Sequence, residues 1–310
     1  MTDAAVMPRR TSWQRVRGGK MLPVLSVLCA IVVIWYAAAV WMNATWTLDQ
    51  AARAGTEPTF AEIVADTMVQ KRPLLPAPHQ VAATLWDQTI EQKVTSKRSL
   101  VFHGWITLQA TILGFVTGAV LGVAVAVGIV HSRTMDLSVM PWAVISQTIP
   151  IVALAPMIIV LSNAVGIDGR TVPKTIISAY LSYFPVLVSM VKGLRSPGAA
   201  QRDLLKTYNA SGMQTFFKLR LPASLPYFFA AMKVAVAASL IGAIVGELPT
   251  GAIQGLGARM LIGSQFGEPL IMWAALFAAA ILAGVLVIAV GLLERLALRL
   301  MGQPGQGGAR

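Results

Sequence analysis

The side chains that could carry chemistry in this chain are few and far apart. Its three histidines, His79, His103 and His131, share no metal-ligand spacing, and the single cysteine, Cys29, allows no internal disulfide. No serine–histidine–aspartate or cysteine–histidine arrangement stands out, and no G-x-x-x-x-G-K-S/T string offers a cradle for a nucleotide. We therefore expect no catalytic site, no bound metal and no cofactor held by this chain.

Glu247 is the acid whose position is most informative. It ends a strongly apolar run and precedes the string PTGAIQGLG at 249–257. An acid at membrane depth is costly unless it is paired or faces water. Two interpretations stay open: Glu247 lies near the outer mouth of a substrate path, or it is an interface acid that stabilises the loop after it. We interpret the glycine-rich end of that loop, 251–257, as a flexible re-entrant turn.

Residues 201–226, QRDLLKTYNASGMQTFFKLRLPASLP, form a polar and basic segment in an otherwise apolar chain. Ser196 and Pro197 predict the start of a short helix, with the serine as N-cap and the proline at the first helical position. That helix carries apolar side chains on one side, namely Leu204, Leu205 and Tyr208. Asn209 predicts a break, because asparagine tolerates left-handed backbone angles better than most residues.

A second short helix is predicted to follow this break. Ser211 and Gln214 have the spacing of a capping box. Apolar residues then recur at helical spacing, namely Met213, Phe216, Phe217 and Leu221. Pro222 and Pro226 are expected to end the helix. Two short helices with apolar faces, set between membrane spans, predict a docking element for another protein.

The elements that position these residues are membrane helices. Of the 310 residues, 56% are hydrophobic and only 12% are charged, whereas soluble domains carry about 25% charged residues. Since a bilayer crossing needs about 20 mostly apolar residues, we predict six spans: 22–42, 105–130, 138–163, 174–191, 227–248 and 270–293. The predicted fold class is an all-α membrane protein, a polytopic bundle of six transmembrane helices with a coupling helix pair on one side.

The distribution of charge predicts the orientation. The net charge is +12, but no basic stripe interleaved with aromatic residues indicates nucleic-acid binding. Lysine and arginine are concentrated at the N-terminus and after the fourth span, so the positive-inside rule places both termini and the docking element in the cytoplasm. The predicted organisation is a cytoplasmic tail at 1–21, a first span at 22–42, a periplasmic segment at 43–100, a transmembrane domain at 101–300 with its coupling loop at 195–226, and a cytoplasmic tail at 301–310.

Several spans contain small residues and prolines. Gly114, Gly118 and Gly122 recur every four residues in the second span, a pattern typical of close helix approach either within the chain or at a homodimer face. Pro150 and Pro156 in the third span are expected either to line a cavity or to kink the helix. Pro185 is expected to interrupt the fourth span, again either by lining a cavity or by kinking the helix.

Two further features belong to the helices. Lys233, near the cytoplasmic end of the fifth span, is expected to snorkel towards water. In the periplasmic segment, residues 74–90 predict an amphipathic helix at the membrane surface, with an apolar face formed by Val81, Leu85 and Trp86.

Over roughly residues 70–300 the chain resembles the inner-membrane permease subunits of binding-protein-dependent ABC importers, in the nitrate, sulfonate and taurine branch. The family signature reads Glu-Ala-Ala, three residues, Gly, nine residues, Ile, one residue, Leu-Pro. The matching positions here are Asp203, Leu204, Leu205, Asn209, Leu219, Leu221 and Pro222, with the spacing kept throughout. Aspartate for glutamate keeps the charge, whereas two leucines replace small alanines. The Pro150–Pro156 spacing, the Tyr183–Pro185 string and Glu247 followed by a GLG turn also resemble this branch.

This resemblance implies a type I ABC importer permease fold and a set of partners. A cytoplasmic ABC ATPase, which binds the ATP, receives the coupling residues Asp203, Leu204, Leu205, Tyr208, Asn209, Ala210, Met213, Phe217, Leu219, Leu221 and Pro222. A second permease copy, expected to form a homodimer, completes the path, and a periplasmic or lipid-anchored binding protein delivers the solute. The expected location is the bacterial inner membrane, with multiple passes through the lipid bilayer and no enzymatic activity in this chain.

A polar solute needs a lining that replaces its lost water contacts, and our candidates for that path are Gln147, Pro150, Ser182, Tyr183 and Glu247. The stretch 247–269 resembles permeases for a pyrimidine or a thiamine precursor, while a sulfonate-like or nitrate-like anion stays open. The alternatives are an ion-gradient-driven secondary transporter, which would need intramembrane acids and usually an internal repeat, and a membrane scaffold that recruits a cytoplasmic partner.

Overall fold

The computed structural model describes residues 21–167, 169–249 and 253–300. Within these ranges the chain is helical, with loops and turns and without a β-strand. It divides into two units, residues 1–84 and 85–310. The predicted tails lie outside the described residues except for Met21.

The first unit is built on a long helix, α1, which spans Met21–Ala54. The predicted first span is contained in α1, but the helix continues well past residue 42. Helix α2 follows at Phe60–Thr67. The buried side chain of Asn43 donates to the carbonyl oxygen of Leu75 at 2.8 Å and accepts from its N–H at 3.2 Å. This pair of hydrogen bonds holds the loop before α3 against α1.

Helix α3, Pro78–Trp86, continues into a π-helical turn at Asp87–Glu91. A helix was predicted here, and its existence is confirmed. The apolar face is only partly correct, because Val81 is buried while Trp86 is 59% exposed.

Three long helices form the core of the second unit: α4 at Leu100–His131, α7 at Thr171–Arg195 and α10 at Leu221–Glu247. The glycines of α4 lie against α7. A Cβ atom on Gly118 would lie 2.1 Å from Ser182 Oγ and 2.7 Å from the carbonyl oxygen of Ala179. One on Gly114 would lie 2.2 Å from the Cβ of Ser178. The glycine repeat therefore serves helix packing within the chain, and the homodimer interpretation of these three residues is wrong.

The predicted third span is bent, as expected if its prolines kink the helix. Helix α5 spans Arg133–Ser146, helix α6 spans Ile151–Ala164, and the two meet at 101°. Pro150 explains the bend, because it offers no N–H to the preceding turn and disfavours helical angles in the residue before it. Besides this pair, five helices of the described chain have the length and apolarity of membrane spans.

Three other prolines lie inside continuous helices, although the sequence predicted that they would interrupt or end a helix. Helix α7 continues through Pro185. Pro222 and Pro226 were expected to end a helix, but they lie within α10, whose first turn contains Pro222. A proline in the first turn is tolerated because its missing N–H would have no helical partner.

The last two helices are α11, Leu256–Gln265, and α12, Pro269–Leu300. Residues 251 and 252 of the predicted re-entrant turn lie outside the described residues, and a helix begins at Leu256. Lys233 was expected to snorkel. Its ammonium group forms an ion pair with Glu294 of α12.

Candidate functional site: a docking segment and a buried ion pair

The docking segment consists of residues 199–220 and begins with α8, Ala199–Thr207. The predicted N-cap was wrong: Ser196 caps the end of α7, and its hydroxyl donates to the carbonyl oxygen of Gly193 at 2.7 Å. Gly198 is the N-cap of α8, and its N–H donates to Gln201 Oε1 at 3.1 Å. The serine is used by the preceding helix, so α8 starts later than the sequence suggested.

The break between the two short helices is confirmed. Asn209 has φ +50°, and among the described residues other than glycine it alone has a positive φ. The capping box is also confirmed, since the Ser211 N–H donates to Gln214 Oε1 at 2.9 Å and the Gln214 N–H donates to Ser211 Oγ at 3.2 Å. Helix α9, Gly212–Thr215, then runs through a π-helical turn at Phe216–Arg220 directly into α10.

Asn209 provides a local test of this geometry. We expect Asn209→Gly to keep the segment intact, whereas Asn209→Val should cost about 1–2 kcal/mol because a β-branched residue is strained at positive φ. Limited proteolysis of the purified full-length chain should show faster cleavage within 199–220 for the valine variant only. Equal cleavage of both variants would contradict this expectation.

The segment leaves large apolar side chains uncovered by the chain. The exposed fractions are 57% for Leu204, 76% for Tyr208, 68% for Met213 and 55% for Phe217. Of the other predicted coupling residues, Asp203, Asn209 and Pro222 are exposed, and Leu205, Ala210, Leu219 and Leu221 are half-buried. Exposed apolar groups grouped on one short segment indicate a surface for another protein.

Phe216 fixes this segment to the bundle. Its side chain is buried and belongs to the core cluster that includes Ile129 and Leu194. Its ring also meets the ring of His131 edge-on, with centroids 5.1 Å apart. Helix α9 also runs into the core helix α10 without a break.

The second feature is a buried ion pair between α7 and the end of α10. Lys174 Nζ lies 3.2 Å from Glu247 Oε1, and their side chains are 5% and 0% exposed. The same carboxylate accepts from Thr107 Oγ1 at 3.0 Å and from the Gly257 N–H at 2.8 Å. Such additional hydrogen bonds are what a buried pair needs to offset the loss of hydration.

The glycine-rich turn before α11 closes over this carboxylate. The Gly255 N–H donates to His103 Nδ1 at 3.0 Å, so the other ring nitrogen, 2.9 Å from the carbonyl oxygen of Lys97, carries the proton and donates to it. Gly255 has φ +126°, and a Cβ there would lie 2.2 Å from Glu247 Oε1. Both the backbone angle and the lack of space require glycine.

Glu247 therefore stabilises the loop that follows it, which was one of its two interpretations. Its side chain has no exposed surface in the described part of the chain. Sequence reasoning missed its partner, because Lys174 is the first residue of the predicted fourth span, 174–191, and received no role there. The available signal was a pair of opposite charges at the ends of two apolar runs.

The other path candidates fall into two groups. Ser182 is buried, and its hydroxyl donates to the carbonyl oxygen of Gly114 at 3.2 Å, so it serves packing. Gln147 and Pro150 lie at the α5–α6 bend, and Tyr183 reaches this bend through a 2.5 Å hydrogen bond with Ser146. The Gln147 Nε2 atom is buried without a hydrogen-bond partner among the described residues.

Long apolar helices, a helix pair bent by 101° and a short segment with exposed apolar side chains define a helical membrane protein. A sequence profile of the family described as "binding-protein-dependent transport system inner membrane component" matches residues 118–302. The chain belongs to this family of ABC importer permeases, and the resemblance read from the sequence is confirmed.

Named relatives are similar over most of their length. The chain is 35% identical to a probable ABC transporter permease of Haemophilus influenzae over 61% of this chain and 75% of that protein. It is 32% identical to the formylaminopyrimidine transport permease ThiX of Halalkalibacterium halodurans, covering 66% and 78% of the two chains. It is 31% identical to the riboflavin transport permease RibX of Chloroflexus aurantiacus, covering 73% and 80%.

A solved structure shares the fold. A chain of the MetNI methionine ABC transporter in an inward-facing conformation matches with a TM-score of 0.52 and 22% identity, over 63% of this chain and 94% of that one. The predicted fold class, a helical type I importer permease, is confirmed.

Proposed function

We propose that this protein is the permease subunit of an importer for a small polar solute, and that its 199–220 segment docks into a cytoplasmic ABC ATPase. The observation that carries the proposal is the exposure of Leu204, Tyr208, Met213 and Phe217 on that one segment. ATP binds to the partner, so this chain contributes the path and the coupling.

The continuity of the docking segment with α10 supports a mechanical role. Closure of the ATPase subunits pushes on α8 and α9, and Phe216 passes the displacement to the core. Packed helices then move as rigid bodies rather than deforming continuously. A second copy of the chain completes the path, and a binding protein on the periplasmic side supplies the solute. Both termini lie in the cytoplasm and the protein resides in the inner membrane.

The solute class we favour is a nitrogen heterocycle such as a pyrimidine. Two relatives above 30% identity are named for transport of formylaminopyrimidine and riboflavin, both of which contain a pyrimidine ring. The unpartnered Gln147 amide at the α5–α6 bend is a group that could donate a hydrogen bond to a ring nitrogen or carbonyl.

The ion-gradient alternative lacks support from the intramembrane acids. Glu247 is held by Lys174, Thr107 and Gly257, and Glu294 is paired with Lys233. A carboxylate held by so many donors is poorly suited to releasing and rebinding a coupling ion during each cycle.

Phe217→Glu tests the coupling role. A charge at the centre of an apolar contact should reduce co-purification of the ATPase at least tenfold and abolish ATP-dependent uptake into proteoliposomes. Because Phe217 is exposed, the amount of chain in the membrane should not change.

Phe60→Glu is the matched control, since Phe60 is 78% exposed and lies outside the segment. It should leave co-purification intact. Normal co-purification of the ATPase with the Phe217→Glu chain would contradict the proposed docking.

A further inference from the structure

An apolar groove crosses the surface of the unit formed by residues 85–310. It has a volume of about 370 Å³, and its lining includes Leu85, Gly104, Trp105, Leu256, Ala278 and Val285. These residues come from the end of α3 and from α4, α11 and α12. The volume falls in the range of about 300–1,000 Å³ found for ligand pockets.

The groove is open along one side. A Cβ atom on Gly104 would meet no heavy atom within 4 Å, and Trp105 is 59% exposed. The helices on its two sides, α4 and α12, both have the length and composition of membrane spans. The open side therefore runs between two candidate membrane-spanning helices.

Two arginines lie close in sequence to lining residues of the groove, Leu100 and Leu256. Arg98 precedes α4 by two residues and is exposed, and Arg259 lies one turn after Leu256 on α11. Arg259 Nη2 lies 3.3 Å from Gln88 Oε1, while its Nε is buried without a hydrogen-bond partner in the described part of the chain. Neither arginine forms an ion pair within the described ranges.

The charges around Arg259 do not balance. Burial lowers the pKa of the Arg259 guanidinium, attraction by Glu268 opposes this, and repulsion from Arg98 lowers the pKa further. An anion placed between the two guanidinium groups would relieve the repulsion and satisfy the free donors.

We propose that this groove binds an anionic phospholipid, with an acyl chain along the apolar wall and the phosphate between Arg98 and Arg259. The wall by itself gives no preference among lipids, because the bilayer is as apolar as the groove. The two cations give the preference, since basic groups near a membrane surface favour anionic headgroups. This site is separate from the docking segment and does not depend on the proposed function.

Native mass spectrometry of the purified full-length chain, reconstituted in nanodiscs of phosphatidylglycerol and phosphatidylcholine, tests the proposal. Wild-type protein should retain phosphatidylglycerol selectively. Arg98→Gln combined with Arg259→Gln should reduce that selectivity roughly tenfold. Gly104→Leu should displace the acyl chain, because it fills an open part of the groove, and should lower the retained phosphatidylglycerol to a similar extent.

Matched controls use positions outside the groove. Gly284→Leu, at another glycine with open space, and Arg170→Gln, at an exposed arginine, should leave retention unchanged. Arg98→Gln alone should lower selectivity even if Arg259→Gln impairs folding.

The proposal would be overturned by undiminished selectivity in the Arg98→Gln variant, by equal loss in the two controls, or by equal retention of both lipids by the wild-type chain. The proposal would also be wrong if Gly104→Leu turned a dimer into a monomer without changing the retained lipid, since the groove would then be an interface between copies.

Discussion

Lys174→Met is expected to destabilise the protein by about 3–5 kcal/mol, because it leaves the Glu247 carboxylate buried without its cation. The carboxylate has 0% exposure and cannot turn towards water. Thr107 and Gly257 would still donate to it, but these neutral groups do not compensate a full charge. The turn before α11 should loosen together with the ends of α7 and α10.

The thermal unfolding midpoint of the detergent-solubilised full chain measures this effect. We expect a fall on the order of 10 °C for Lys174→Met. Lys174→Met combined with Glu247→Gln should recover roughly 2 kcal/mol, since it removes the stranded charge and keeps an oxygen for one of the donors.

The exposed pair of Lys206 and Asp203 supplies a matched control. Its charged atoms lie 3.1 Å apart, but the side chains are 78% and 65% exposed. Lys206→Met should therefore change stability by less than about 1 kcal/mol. Similar losses for Lys206→Met and Lys174→Met would contradict the importance of burial.

The sequence predicts best those features that depend on residues close together in the chain. The left-handed Asn209 and the capping box of Ser211 and Gln214 depend on residues at most three positions apart. The long spans can be predicted equally well, because each needs only a sufficient length of apolar residues. The docking segment was recognisable because its capping signals are local and because it interrupts the apolar spans on either side of it.

Features that depend on tertiary structure were missed. Hydropathy does not report the angle between helices, so the sequence left a kink at Pro150 open but did not predict the 101° bend. The effect of a proline depends on its place in a helix, which is why Pro222 lies inside α10 although it was expected to end a helix. Lys174 and Glu247 are 73 positions apart, and only the packing of α7 on α10 brings them together.

The close approach of α4 and α7 leads to the second large effect, which concerns Gly118. Gly118→Leu should prevent the two helices from packing and cost more than the usual range of about 1–3 kcal/mol for overpacking. The first side-chain atom would already lie 2.7 Å from the backbone oxygen of Ala179, and a backbone oxygen cannot move aside alone.

Smaller changes at this position should give a graded series. Gly118→Ala places its Cβ 2.1 Å from Ser182 Oγ as well as against the Ala179 oxygen. Gly118→Ala combined with Ser182→Gly should therefore recover only part of the lost stability, since the backbone contact remains. The yield of monodisperse protein and its unfolding midpoint measure the series, and Gly284→Leu, which meets open space, should match wild type.

Full recovery in the Gly118→Ala, Ser182→Gly protein would mean that the serine alone sets the distance between α4 and α7. A normal yield of Gly118→Leu would mean that the helices are not in close contact here, and the assignment of the glycine repeat to packing within the chain would be wrong.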